Sequence, residues 1–530
     1  MPSRVRPDHS PRRSNRVPNF DSGVIGEPLL AFGGRHEHVD PKTGLALYGP
    51  YSPVGQPRPT LTSIIVGIVG PAAMIADAEQ WLRACRDVIT NDGSQPFLFP
   101  HFPGFNQELP FQCELLYGEA WREVIHQATL QKALIETDSF DARVARVVDL
   151  YIAAIEVLAQ RDQRPDVILC CIPQEVIDRC TVRQSGARGH TPPVPVRRFK
   201  QKLRRAADRG QLPMFGNVEV EDDAETEVEH QNLRRGLKAE AMQFGIPTQL
   251  VWPRALRLTQ TNASPGERAQ DAATRAWNFT TALYHKAGGS PWRLAEAEPG
   301  VCYVGVSFYR ELADDNPRMR TSLAQAFTAA GDGYVLRGSP FDWDAGRYNR
   351  SPHLDQAASA ALMRAVLDLY KKQNRGSLPT RLVVHKTSRF WDEELAGFED
   401  ACEYVPRKDF VALGDRGIQF YRTGEYPPLR GTYMKFSDEN LLLYTSGYIP
   451  YLRTYPGPRV PRPLEILEHY GDTPWDALLQ EILALTKMNW NSADFAIGMP
   501  VTVAFSRSVG QVLAELPENL PLRPEYRFYM

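Results

Sequence analysis

No sign of charge dominates the chain: 61 Lys and Arg stand against 63 Asp and Glu, a net charge of −2 over 530 residues. Nothing global draws it to nucleic acid, so any such binding must come from clustered charge. No apolar run approaches the length of a membrane span. The seven cysteines form no CxxC pair and no metal-ligand spacing. They read as reduced thiols, and the expected location is the cytoplasm. Arg4, Arg6, Arg12, Arg13 and Arg16 precede no apolar core, which excludes a signal peptide. One absence is local. The strand-like run "VVHKTSRFWDEE" ends in His385-Lys386-Thr387-Ser388, with no acid, although the carboxyl end of a strand is where open α/β sheets usually place their chemistry.

What is present supports large cores: 43% of residues are hydrophobic and 10% aromatic. A chain this long predicts two or more domains. Residues 1–20 are Arg/Pro/Ser-rich and read as a disordered basic arm. Residues 24–60 hold short apolar pieces punctuated by Gly and Pro, which predict strands and turns. "TSIIVGIVG" (62–70) is a β-branched run closed by Pro71, a favoured helix start. "PDVILCCIP" (165–173) is a second buried strand, in which Cys170 and Cys171 must face opposite ways. Between them, Val144, Val147, Val148, Tyr151, Ile152 and Ile155 fall on one side of a helix. The alternation predicts an α/β fold with a Rossmann-like sheet. Residues 183–209 carry nine Lys or Arg against one acid, and 219–229 carry seven acids and no base. That insertion reads as a solvated loop with mutually attractive halves, or as a basic hairpin lying along a nucleic-acid backbone. From about Pro299 a second set of strands and helices begins, with strands at 301–308 and 380–386 and helices at 353–372 and after Phe390.

Arg234 and Lys238 lie four apart on a helix. Two cations so placed repel unless solvent or an anion separates them. Gln249 follows in the next strand, and Lys286 precedes Gly288-Gly289. Side chains of these types satisfy phosphate oxygens through charge-assisted hydrogen bonds. The plainer reading is an ordinary basic helix face.

The surrounding wording resembles a known family. "NLRRGLKAEAMQFGIPTQLV", "ALYHKAGGSPWRL", "YVGVSF", "VVHKTSRF" and "ILALTKMNWNSADFAIGMPVTVAFSRSVGQVL" are similar, in order, to the MID–PIWI module of Argonaute proteins. The opening "EPLLAFGG…DPKTGLALYGPYSP" resembles the short prokaryotic members. The resemblance implies a Rossmann-like MID domain followed by an RNase H-like PIWI domain. The expected division is the arm at 1–20, N-terminal strands and linker at 21–60, MID at 61–295 and PIWI at 296–530, with no room for N-terminal and PAZ domains before MID. It places Arg234, Lys238, Gln249 and Lys286 on the pocket for a guide's 5′-phosphate. It further implies that the carboxylate of Met530 shares a Mg²⁺ with that phosphate.

Active PIWI domains cut with two metal ions held by carboxylates. Here the two motif acids fall on Ser307, in Gly305-Val306-Ser307, and on Thr387. The last ligand position, read near Asn489 or Asn491, is uncharged too. The resemblance therefore implies a guide-dependent binder that does not cut. Its expected partners are a small guide RNA, complementary single-stranded target DNA and an APAZ-domain effector protein of TIR, Sir2 or nuclease type, acting in defence against plasmids and phages. One alternative is a metal-dependent, guide-directed nuclease with rearranged acids drawn from Glu311, Asp314 or Asp392. Another is a Rossmann-type small-molecule enzyme, for which "GIVGPAAMIAD" is a poor phosphate loop.

Overall fold

A computed structural model describes residues 21–52, 61–181, 232–258, 270–310, 319–326, 333–341 and 353–530, less 92, 94, 109, 137–138, 415–419, 421–423, 425–426, 437–440, 457–459 and 518. The basic arm, the charge-split insertion, Glu311 and Asp314 lie outside these residues.

The N-terminal segment supplies strands β1 (Asp21–Val24), β2 (Leu30–Ala31) and β3 (Glu37–His38) and helix α1 (Pro41–Tyr48). Strands and turns were expected throughout this segment, but residues 41–48 are helical. Asp40 caps them, accepting from the Thr43 N–H at 2.7 Å, and Pro41 occupies the first turn, a start signal that overrides the Gly-rich setting.

A parallel sheet follows, built from β4 (Ser63–Gly70), β5 (Glu114–Leu116), β6 (Arg122–Val124), β7 (Val167–Cys171) and β8 (Thr248–Val251). Its strands run β5-β4-β7-β8, with β6 also on β4, and every pairing is parallel. Helices cover both faces: α2 (Ala72–Ala84), α3 (Gln127–Ile135), α4 (Phe140–Ala159), α5 (Gln174–Cys180), α6 (Leu233–Ala241), α7 (Pro253–Leu256) and α8 (Ala272–Lys286). All five residues of β7 are buried, as a strand covered on both faces requires. Cys171 joins the core of Trp81 and Trp277, whereas Cys170 joins that of Tyr151 and Leu237, so the pleat sends neighbouring thiols to opposite faces.

The second sheet contains β10 (Val301–Arg310), β11 (Met319–Ala326), β12 (Gly333–Phe341), β13 (Arg381–Lys386), β14 (Arg407–Gly414), β15 (Thr432–Lys435), β16 (Leu441–Leu443) and β17 (Leu464–Gly471). The short β9 (Arg293–Leu294) pairs instead with β2. Strands β10, β11 and β12 form an antiparallel meander, and β13 and β14 extend it on the other side of β10 in parallel. This is the RNase H-like arrangement. Strand β1 crosses the molecule to become the edge strand beside β15. Helices α9 (Gln356–Gln373) and α10 (Asp392–Ala401) cover one face, while α11 (Trp475–Leu485) and α12 (Val501–Leu513) pack on the other side. Gly305 lets α12 approach: a Cβ there would lie 2.0 Å from the Thr502 carbonyl oxygen. One continuous apolar core runs from Val167 and Leu169 of the first sheet and Trp277 of α8 to Val383 and Val411 of the second sheet and Val509 of α12. Among the described residues no helix is long and apolar enough to cross a membrane.

Candidate functional site

Helix α6 starts at Asn232, whose side chain accepts from the Arg234 N–H at 3.0 Å. The four-residue spacing aims Arg234 and Lys238 along one side, but their surroundings differ: Arg234 is exposed and Lys238 is buried. The Lys238 ammonium donates to the Thr248 carbonyl at 3.2 Å and to the main-chain oxygen of Met530. Next to Thr248, Gln249 accepts from the buried Lys286 ammonium at 3.4 Å. The structure thus brings Lys238, Gln249 and Lys286 together from α6, β8 and the last residue of α8, with Arg234 close enough for its charge to act on both lysines.

Burial pushes Lys286 down to about 7, with the Arg234 charge adding to the effect. Lys238 is held well below its ordinary value by burial, then by Lys286 and Arg234. Among the described residues no Asp or Glu side chain pairs with either lysine. Two buried ammonium groups within reach of each other's charge, with only the Met530 oxygen and neutral oxygens as partners, cost free energy in the empty protein. An anion lodged between them removes that cost.

The chain's last residues complete the pocket wall. Tyr526, Phe528, Tyr529 and Met530 are all buried, and Tyr526 stacks on Phe505 of α12 at 3.6 Å between ring centroids. This seating carries the Met530 oxygen to Lys238. It also places Arg527 beside α8, where its charge helps hold the half-buried His285 down near 4, after burial itself. A Cβ at Gly288, whose φ is +100°, would lie 3.2 Å from the Arg527 guanidinium, and the buried Arg527 Nε has no hydrogen-bond partner among the described residues. Sequence reasoning missed Arg527. Its signal was the burial-prone tail "PEYRFYM", in which an arginine sits among aromatics.

Ser307 lies inside β10 and Thr387 just past the end of β13. Each follows the last parallel pair of these strands, Val306 with Lys386. Around them the buried His385 Nε2 has no hydrogen-bond partner among the described residues. Lys386 forms a buried ion pair with Glu394, and the His385 Nδ1 lies 2.8 Å from the Thr502 hydroxyl. Asp392 is exposed in the first turn of α10. Asn491 lies in the stretch between α11 and α12. Its loop is seated against α8: Trp490 packs on His285 with centroids 4.5 Å apart, and the Ala493 N–H donates to Asn278 at 3.0 Å. The first turn of α12 lies over β10 and β13 at Thr502. Among the described residues no three His, Cys, Asp or Glu side chains cluster as metal ligands.

The same architecture is found in solved structures. The chain superposes on Clostridium butyricum Argonaute bound to a guide DNA and a 19-mer target DNA, with a TM-score of 0.59 and 14% identity, over 94% of this chain and 54% of that one. The fold is that of the Argonaute and Piwi proteins. Drosophila Piwi superposes with a TM-score of 0.53 and 12% identity, over 96% of this chain and 56% of its own. A curated relative, the Argonaute of Aquifex aeolicus, is 23% identical over 284 residues, which is 52% of this chain and 35% of the relative. No family model matches. The Argonaute-like chain therefore spans about a third of that curated relative and a little over half of the solved ones. Its parallel first sheet is the Rossmann-like MID domain, and its second is the RNase H-like PIWI domain.

Proposed function

We propose that this chain binds a small guide RNA by its 5′-phosphate and uses it to recognise complementary single-stranded DNA without cutting it. The observation that carries the reading is the pair of buried ammonium groups of Lys238 and Lys286, which pair with no Asp or Glu side chain among the described residues and meet Gln249 and the Met530 oxygen. A phosphate is the anion whose several oxygens use two ammonium groups, an amide and the exposed Arg234 together. Base pairing then supplies sequence specificity while the protein reads phosphates and duplex shape, the division of labour of guided systems. Ser307 and Thr387 stand where a two-metal site needs acids. The bound duplex acts by switching on an APAZ-domain effector of TIR, Sir2 or nuclease type, in defence against plasmids and phages. Domain limits of 61–295 for MID and 296–530 for PIWI belong to the same reading.

Mg²⁺ fits the donors at the pocket in kind. Met530 offers a hard oxygen, as the ion requires, and would hold it together with the guide phosphate. The ion would neutralise the repulsion between that phosphate and the terminal carboxylate.

The test compares guides bearing a 5′-phosphate and a 5′-hydroxyl. The double variant Lys238→Ala, Lys286→Ala is expected to lose tenfold or more in affinity for the phosphorylated guide, since each charge-assisted contact contributes roughly 1.5–3 kcal/mol. Equal binding of both guides by wild type and variant would sink the assignment. Sequencing the nucleic acid that copurifies with the protein identifies the guide's chemistry.

A further inference from the structure

Glu515 follows the last turn of α12, on the PIWI side, yet its buried side chain ends in the MID domain. Its carboxylate accepts the Asn232 N–H at 3.0 Å, across 283 residues of sequence. The Arg235 guanidinium stands 3.6 Å away, and its buried Nη1 has no hydrogen-bond partner among the described residues. Gly236 leaves room for the approach: a Cβ there would lie 3.2 Å from the second carboxylate oxygen and 3.5 Å from Val148. Asn232 in turn caps the Arg234 N–H with its own side chain. One carboxylate from the far domain thus holds the start of the helix that carries Arg234 and Lys238.

We infer that Glu515 is the positioning residue of the phosphate pocket, coupling the PIWI domain to the orientation of α6. The inference rests on the phosphate reading of Lys238 and Lys286. Lys238 lies six residues past Asn232, so about 9 Å along the axis at the α-helical rise. A tilt at the helix start therefore moves the ammonium group relative to Thr248 and Met530. Helix α6 has nine residues, too few for its own propensity to hold it rigid. Its orientation is set by packing and by what grips its ends. Removing the carboxylate frees the Asn232 N–H and leaves Arg235 buried beside nothing of opposite charge, and the helix shifts to hydrate both. Glu515 touches no guide atom in this scheme. It acts through α6.

The experiment uses the whole chain and reads the ratio of affinities for 5′-phosphate and 5′-hydroxyl guides of one sequence. E515A is expected to lower the ratio at least fivefold through the phosphorylated guide alone, with hydroxyl-guide affinity within twofold of wild type. E515Q keeps an acceptor for the Asn232 N–H without the charge that faces Arg235, and its ratio is expected between those of E515A and wild type. A wild-type ratio in both variants overturns the inference. So does an equal loss for both guides, which marks a purely structural role. Should E515A fail to fold, the isosteric E515Q decides alone: a threefold fall in ratio supports the inference and an unchanged ratio overturns it. The double variant K238A, K286A runs alongside. If it keeps the phosphate preference, the phosphate reading has failed; if it loses the preference while Glu515 variants keep it, only the positioning role has failed.

Discussion

Lys286 is where the pocket's chemistry is most open to test. Burial first, and then Arg234, bring it down to about 7. A lysine depressed in the folded state adds nothing to stability above its unfolded pKa. Its cost grows as pH falls from there toward the folded value, and is complete below it. The unliganded protein should therefore gain stability between about pH 7 and pH 10 from this group, and Lys286→Met should flatten that rise. Near pH 6 the variant should be more stable than wild type by up to about 5 kcal/mol, since the fall from 10.5 to about 7 carries about 1.4 kcal/mol per unit. Urea unfolding at several pH values measures both effects. Guide binding has the opposite linkage. A phosphate favours the charged ammonium, so above pH 7 loading takes up a proton, and the preference for a 5′-phosphate should weaken by up to about tenfold per pH unit. A preference constant from pH 7 to pH 9 would show that Lys286 does not meet the phosphate.

At the scale of elements, the N-terminal segment does more than lead into the first sheet. Glu27 sits between Arg430 and Lys487, with Arg430 Nε at 3.0 Å and the Lys487 ammonium at 2.8 Å. Lys487 also donates to the carbonyls of Pro28 and Val39 at 3.0 and 2.6 Å. Burial raises Glu27, but the two cations outweigh it and hold the carboxyl below its ordinary value. Its contribution is present above the unfolded carboxylate pKa and is lost as pH falls below it. Glu27→Ala should destabilise the protein by about 3–5 kcal/mol, because it strands two buried cations. Glu27→Ala combined with Lys487→Met should recover part of that loss. Thermal unfolding of the single and double variants checks both. A loss below 1 kcal/mol would mean that water reaches the site.

For the whole molecule, the expectation is that a guide–target duplex remains uncut in Mg²⁺ or Mn²⁺. Ser307 and Thr387 follow the last parallel pair of β10 and β13, and Glu394 is neutralised by Lys386. The double change Ser307→Asp, Thr387→Asp is expected to leave the protein inactive, since two carboxylates fall short of what two divalent ions need. Cutting at one defined phosphodiester by the wild-type chain would contradict this.

Much of this was legible along the chain, because strands and helices answer to local rules. "SIIVGIVG" and "VILCC" are apolar runs that only a doubly covered sheet accommodates. The period of Val144, Val147, Val148 and Tyr151 sets the buried face of α4. The uncharged Ser307 and Thr387 and the cations at Lys238 and Lys286 are likewise matters of residue type. Tertiary structure alone decided who meets whom. Lys238 reaches Met530 across 292 residues, Arg430 reaches Glu27 across 403, and Glu515 grips α6 across 283. It also put Arg527 beside α8. The reason is physical. Backbone sterics and side-chain periodicity act over a few residues, whereas the partner of a buried charge is set by close packing of the entire chain, which no local pattern encodes.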